Sequence, residues 1–419
     1  MRKVFKALQV SFMVLFVSAV AYGSDYTGVL NDAPYKIRVP ENWNGELLIY
    51  AHGYGYLERW NPAVQFDYSY ADAAPAGALM ENFLLSQGYA LAGTTFSGTG
   101  WQVKEGTPEL VSLSGLFKRL VGRPKRTILI GYSLGSLLAL KSAEEVPLYD
   151  GIIAGCTAGA GTSKAMDLVG AFALAYDTLF GWPEAWGTWH NVKDGILFNR
   201  DVLPVLYAQV ADPANAPKFE FMRLLTAEPL EGFYNEPRWL FLGMFMATEV
   251  RSDLQRRAKG PVTQNNNDRY TLSDADKAYL TALGFTGAQI ENVLAAMNAQ
   301  TTITIADDQK RYMEKYFDPS GDLQIPVISL HETGDGLAPA YLESVLRNTV
   351  QAKGKEELFV QVFTDGAWHC GFTGPQLLAT IKAMDAWLDT GAKPGTEAFP
   401  AAYGFVPGYM PPPWPIGTK

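Results

Sequence analysis

The chain has two cysteines and four histidines in 419 residues. So few thiols exclude a disulfide-built scaffold, and Cys156 and Cys370 leave a single pairing available. They fit one disulfide in an exported chain, or two buried free thiols. Charge is scarce as well. Charged side chains make up 18% and the net charge is −9, so neither nucleic acid nor an anionic membrane surface is an expected partner. Past the N-terminus no apolar run approaches the ~20 residues of a membrane span, and the strongest, 239–246, reads as about two helical turns. Repeats and low-complexity tracts are also missing.

What is present begins with an export signal. Arg2, Lys3 and Lys6 precede an apolar stretch at 7–20, and Ala19-Val20-Ala21 is an A-x-A site. Cleavage is expected after Ala21, with Gly23 as the alternative and a retained N-terminal anchor as the other reading. Apolar residues make up 48%, ample for a core. The length allows two domains, or one domain with a large insertion.

The chain is organised around 127–140. A short apolar run enters Gly131-Tyr132-Ser133-Leu134-Gly135, and good helix formers follow to Glu145. A strand feeding a helix through G-x-S-x-G is the context of a nucleophile elbow. A serine on so sharp a turn brings backbone close, and Gly131 and Gly135 remove the Cβ atoms that would clash. The pentapeptide alone is weak in a chain with 40 glycines. Its flanks carry the reading.

Strands are expected at 26–30, 35–39, 46–51, 89–95, 127–130, 151–156, 325–330 and 357–363. Helices are expected at 74–87, 107–121, 136–145, 339–351 and 375–389. This alternation implies an α/β fold with a mostly parallel sheet and right-handed crossovers. Residues 158–323 interrupt it and are too long for a loop. They read as a helical cap over the carboxyl edge of the sheet, inserted between the strand after the nucleophile helix and the acid-bearing strand. Gly284 ends one of its helices and a capping box at Thr286 and Gln289 opens the next. The tail, 391–419, is rich in proline and aromatics and reads as an extended surface segment or disorder. The expected domains are therefore a signal at 1–21, a core at 25–157 and 324–390, the cap, and the tail.

A serine nucleophile needs a base, an orienting acid and an oxyanion site. His52 ends a strand, His190 lies in the cap among tryptophans, and His331 closes a buried strand. His369 follows the last strand in a loop. For the acid, Asp335 lies just past the strand at 325–330, with Glu332 nearer the strand end and Asp365 nearer His369 in sequence. Backbone N–H groups of Leu134 and of Tyr54, in the turn His52-Gly53-Tyr54-Gly55, suit an oxyanion hole. Aromatic residues Tyr56, Trp101 and Trp368 lie on loops beside these and are candidate substrate contacts, favouring an apolar acyl or aryl group.

The order of a His-Gly turn, G-x-S-x-G, Asp and His resembles the α/β-hydrolase superfamily over roughly 45–157 and 324–390. The resemblance implies a Ser133–His369–Asp335 triad, an acyl-enzyme and hydrolysis by water, with no cofactor and no metal. Cys370 directly after His369 also resembles the tannase and feruloyl-esterase enzymes, where such a cysteine bonds one directly before the serine. Here Tyr132 holds that place, but Cys156 ends the strand expected beside the elbow strand, so a Cys156–Cys370 bond is expected to tie the histidine loop to the sheet by a different route. An exported serine carboxylic-ester hydrolase is the expected function, acting on a small or polymeric ester. A serine peptidase or amidase with a helical cap is the alternative, and a non-catalytic binding protein the third. Haloalkane or epoxide chemistry wants a carboxylate where Ser133 stands. Fold alone does not decide among these.

Overall fold

The apolar runs of the sequence become one eight-stranded sheet. In the computed structural model, which describes residues 22–55, 71–227 and 238–419, the strands are β1 (Tyr22–Leu30), β2 (Ala33–Pro40), β3 (Glu46–Ala51), β4 (Ala90–Thr94), β5 (Arg126–Tyr132), β6 (Gly151–Gly155), β7 (Val327–Glu332) and β8 (Phe359–Thr364). Their spatial order is β1-β2-β4-β3-β5-β6-β7-β8. Only β2 runs against its neighbours, and β4 through β8 are parallel. Parallel strands need crossovers that cover both faces. Helices α1 (Ala78–Ser86), α2 (Val103–Leu120) and α3 (Leu134–Glu145) supply the first of these. The expected signal at 1–21 and Tyr56 lie outside the described residues.

Alternation along each strand sorts the core into two layers. Leu47, Ile49, Leu129 and Ile152 face α2, α3 and the cap, while Leu48, Ile128, Ile130, Ile153 and Ile328 face the opposite helices. Strand β7 starts two residues later than the sequence pattern implied. Pro326 has no N–H to give the ladder. The shift makes Glu332 the last strand residue and leaves Asp335 three residues beyond it.

The insertion is helical. It holds α4 (Thr162–Phe180), α5 (Leu203–Val210), α6 (Ala216–Leu225), α7 (Arg238–Phe245), α8 (Arg251–Ala258), α9 (Asp274–Ala282), α10 (Gly287–Ala299) and α11 (Asp307–Tyr316). The apolar run at 239–246, read as two turns, is instead the start of a longer rod. A π-helical turn, Met246–Val250, joins α7 to α8 without a break. The hydrophobic pattern ends where the helix does not, because Glu249, Arg251 and Asp253 are buried in the cap. Capping boxes at Ser273 and Thr286 open α9 and α10. Among the described residues no helix is long and apolar enough to cross a membrane.

After β7 and β8 come α12 (Tyr341–Ala352) and α13 (Gly374–Thr390). Of the two forms its composition implied, extended or disordered, the tail takes the ordered one and straps the molecule. Phe399, Phe405 and Ile416 are buried, Val406 N–H donates to Phe363 O at 2.8 Å, and residues 417–418 pair with 268–269 of the cap. The aromatic residues anchor a segment whose prolines prevent regular structure.

Candidate active site

Ser133 stands between β5 and α3 with φ 55° and ψ −122°. That backbone is sparsely allowed for a residue with a Cβ, so the surrounding structure must impose it. The two flanking glycines explain how. A Cβ on Gly131 would lie 2.0 Å from Gly135 O, and one on Gly135 would lie 2.0 Å from Ala51 O. Strand, turn and helix can close this tightly only without those atoms, and the serine side chain is left at the carboxyl edge of the sheet.

The chain ends of three parallel strands meet there. His369, after β8, has Nε2 2.7 Å from Ser133 Oγ and Nδ1 2.8 Å from Asp335 Oδ2. Asp335, after β7, is fully buried, and its Oδ1 accepts the N–H groups of Leu337 at 2.8 Å and Ala338 at 2.9 Å. Burial acts to raise its pKa, but the charge and hydrogen bond of His369, with help from His331, hold it below the ordinary carboxylate value. Glu332, the other acid at this edge, is 1% exposed and accepts the Gly371 N–H at 2.9 Å. Burial, reinforced by the charge of Asp335, pushes it up to about 7. Two neighbouring carboxyl groups are thus driven in opposite directions, the pattern that separates an ionised partner of histidine from a protonated one. Asp365, nearer His369 in sequence, donates its backbone N–H to Gly404 O in the tail.

The other histidines lie elsewhere. His331 is fully buried with Nε2 2.7 Å from Ala338 O, facing Glu343 on α12. His52 packs its ring on Phe96 at 4.4 Å with Nδ1 2.7 Å from Gly53 O, and burial pushes its pKa down. His190 sits in the cap beside Trp189.

The turn 52–55 lies against the serine, since a Cβ on Gly53 would be 3.2 Å from Ser133 Cβ. Leu134 is the first residue of α3, so its N–H has no acceptor within the helix. The ring of Tyr54 packs on Trp101 at 6.3 Å and on Phe245 of α7 at 5.7 Å. Trp101 is buried. Its backbone N–H donates to Asp253 Oδ2 at 2.8 Å and its indole N–H to Thr162 Oγ1 at 3.2 Å, so it ties core to cap. Trp368 is half-buried beside His369.

Nothing in the sequence marks Asp253 as a site residue. It is 1% exposed on α8, ion-paired with Arg257 at 2.8 Å and with Arg256, and it holds the loop at 100–101. Gly100 N–H in turn donates to Gly55 O at 2.6 Å. The cap thus grips the turn beside Ser133 through one carboxylate. In sequence, Arg-Ser-Asp-Leu-Gln-Arg-Arg reads as an ordinary solvated helix face. An apolar cavity of about 40 Å³ lies between α4, α7 and the loop after Asp335, lined by Val169, Phe172, Gly243, Met246, Leu337 and Pro339 among others.

Cys156 and Cys370 form a disulfide with Cα atoms 5.2 Å apart, closing 214 residues. It joins the end of β6 to the residue after His369. Tyr132 pairs in register with Gly155 and its ring occupies the space a Gly155 Cβ would take. The same ring meets Phe372 of the histidine loop at 5.3 Å. The bond therefore arises from the neighbouring strand. The two sulfurs and His369 lie within 4.8 Å of one another, but disulfide sulfurs are not thiolate ligands.

The sheet order, the single antiparallel strand near its edge and the elbow after β5 define an α/β-hydrolase fold. No protein-family model matches the chain. Over 137 residues the chain is 27% identical to the o-phthalyl amidase of Xanthobacter agilis, a match spanning 32% of this chain and 28% of that protein. Among solved structures, it is similar to the Pyrococcus horikoshii acylaminoacyl peptidase (TM-score 0.41, 10% identity), covering 84% of this chain and 38% of that one. It is similar to a Pyrococcus furiosus esterase (TM-score 0.40, 12% identity, covering 90% and 92%) and to feruloyl esterase B of Aspergillus oryzae (TM-score 0.39, 15% identity, covering 88% and 80%).

Proposed function

We propose that this protein is an exported serine hydrolase that cleaves carboxylic esters through Ser133, His369 and Asp335. The observation that carries the reading is the hydrogen-bonded series from Ser133 Oγ through His369 to a buried Asp335. In this mechanism Ser133 Oγ attacks the ester carbonyl carbon as its proton passes to His369 Nε2. Asp335 keeps the imidazole in the required tautomer and stabilises the imidazolium. The N–H groups of Leu134 and Tyr54 hold the oxyanion. Collapse expels the alcohol, protonated by His369, and leaves an acyl-enzyme. Water, deprotonated by His369, then attacks the acyl carbon and releases the acid, with the proton returned to Ser133. The apolar lining at Leu337 and Phe172, just past Asp335, supports an apolar acyl group over a charged one.

An amide substrate is the second reading, favoured by the 27% identity to an amidase over a third of the chain. The disulfide fits an oxidising compartment outside the cytoplasm. Cleavage after Ala21 would leave β1 whole, whereas cleavage after Gly23 would remove two of its residues.

The test is a rate series on nitrophenyl esters of rising acyl length, with an aryl anilide alongside, for wild type and Ser133→Ala. Ester turnover abolished by the substitution is the expected result. Anilide turnover above ester turnover would move the assignment to amidase, and a folded wild type silent on both would overturn it.

A further inference from the structure

Helix α8 carries a charge that ester hydrolysis does not use. Arg251 is 0% exposed, and none of its three guanidinium nitrogens has a hydrogen-bond partner among the described residues. The carboxylates of the same rod, and Asp177 before the Trp182 turn, bind other groups. Asp253 is taken by Trp101, Arg256 and Arg257, Glu249 accepts the Phe198 N–H at 2.9 Å, and Asp177 accepts the Trp182 backbone N–H at 2.8 Å. Burial pushes the Arg251 pKa down to about 9, which still leaves it charged at neutral pH.

The surroundings are aromatic. The guanidinium lies 5.9 Å from the ring centroid of Trp182, which meets Trp186 edge-on at 5.4 Å and Tyr176 at 5.9 Å. The Trp182 indole nitrogen is buried and likewise has no partner among the described residues. The guanidinium and the indole N–H are thus both buried near one another with no hydrogen-bond partner among the described residues, and His190 lies close enough that burial and then the Arg251 charge push its pKa down. Buried charge of this kind is stable only when paired. The guanidinium fork matches a planar carboxylate in two parallel hydrogen bonds.

We propose that the cap encloses a small carboxylate, of formate or acetate size, held by Arg251 and the Trp182 indole N–H. The site shares no residue with the Ser133 centre, so it is independent of the substrate assignment. The carboxylate comes either from a free small acid or from an aryl acid, and the complete burial of Arg251 favours the former.

The experiment is thermal unfolding of the full mature chain in sodium formate, acetate, benzoate and chloride at constant ionic strength, for wild type, Arg251→Met and Arg251→Lys. Formate and acetate should raise the wild-type Tm by roughly 3–5 °C at a hundredfold excess over Kd, with chloride and benzoate weaker. Arg251→Met should lose the response, and Arg251→Lys should lose the preference for formate over chloride. Saturable binding of ¹³C-formate to wild type, followed by NMR, provides a readout that needs no variant to fold. Wild-type stability indifferent to all four anions, or an equal response in Arg251→Met, would overturn the site. Benzoate as the best ligand would overturn the size assignment and identify an aryl acid.

Discussion

Replacing Glu332 with glutamine should make the protein more stable at alkaline pH. The carboxyl is 1% exposed beneath the histidine loop, and its pKa is raised from 4.5 to about 7 by burial first and by Asp335 second. An unfolded Glu332 loses its proton near 4.5 and the folded one near 7. Through that window the folded state holds the extra proton, so stability falls as pH rises, and the full cost remains above 7. A displacement of this size corresponds to about 3 kcal/mol. Glutamine keeps an oxygen for the Gly371 N–H, bonded at 2.9 Å, and removes the ionisation. Urea denaturation of both proteins from pH 4.5 to 9 should show nearly equal stability at the acid end. The variant should lead by about 3 kcal/mol at pH 8–9. Glu46 and Asp167, also raised to about 7 by burial, are common to both proteins and cancel in the difference. A difference that is flat with pH, or a wild type more stable at pH 8, would refute the reasoning.

Four further outcomes are expected. Asp335→Asn should lower kcat by about 10⁴ with KM little changed, because the imidazole loses the acceptor that sets its tautomer; steady-state kinetics on a nitrophenyl ester checks this. Asp253→Ala should cost about 1–3 kcal/mol by leaving the buried Trp101 N–H without its acceptor while Arg257 keeps Glu105 and Thr99 O, and should cut kcat/KM up to about a hundredfold by freeing the turn 52–55. Asp253→Asn, which keeps an acceptor for Trp101, should be milder in both urea denaturation and kinetics. Reducing the Cys156–Cys370 bond, or replacing both with serine, should remove roughly 5 kcal/mol on the chain-entropy account of a 214-residue loop, and activity should fall with stability because His369 adjoins the bond. Phe172→Ala should enlarge the cavity beside Leu337 and shift the preferred acyl chain to greater length in the ester series.

The alternation of apolar strands with helices was legible because parallel strands covered on both faces must be apolar throughout, as Glu46–Ala51 and Gly151–Gly155 are. The elbow was legible because its geometry tolerates only glycine on either side of Ser133. The start of β7 was not, because one proline shifts the ladder by two residues. The full α7–α8 rod was hidden because its second half buries charge, which no periodicity of apolar residues reports. The tail was hidden because its order comes from three aromatic or aliphatic anchors seated on distant elements.

Sequence by itself therefore determined the fold class, the serine turn and the short set of residue types able to serve it. Tertiary structure decided which acid faces His369, since Asp335 and Glu332 differ by three positions in sequence but by opposite pKa displacements in place. It also decided that Cys156 finds Cys370, that Asp253 reaches the turn beside Ser133, and that Arg251 is enclosed without a partner. Each of these depends on burial and on distances between elements far apart in the chain, and local propensity carries no information about either.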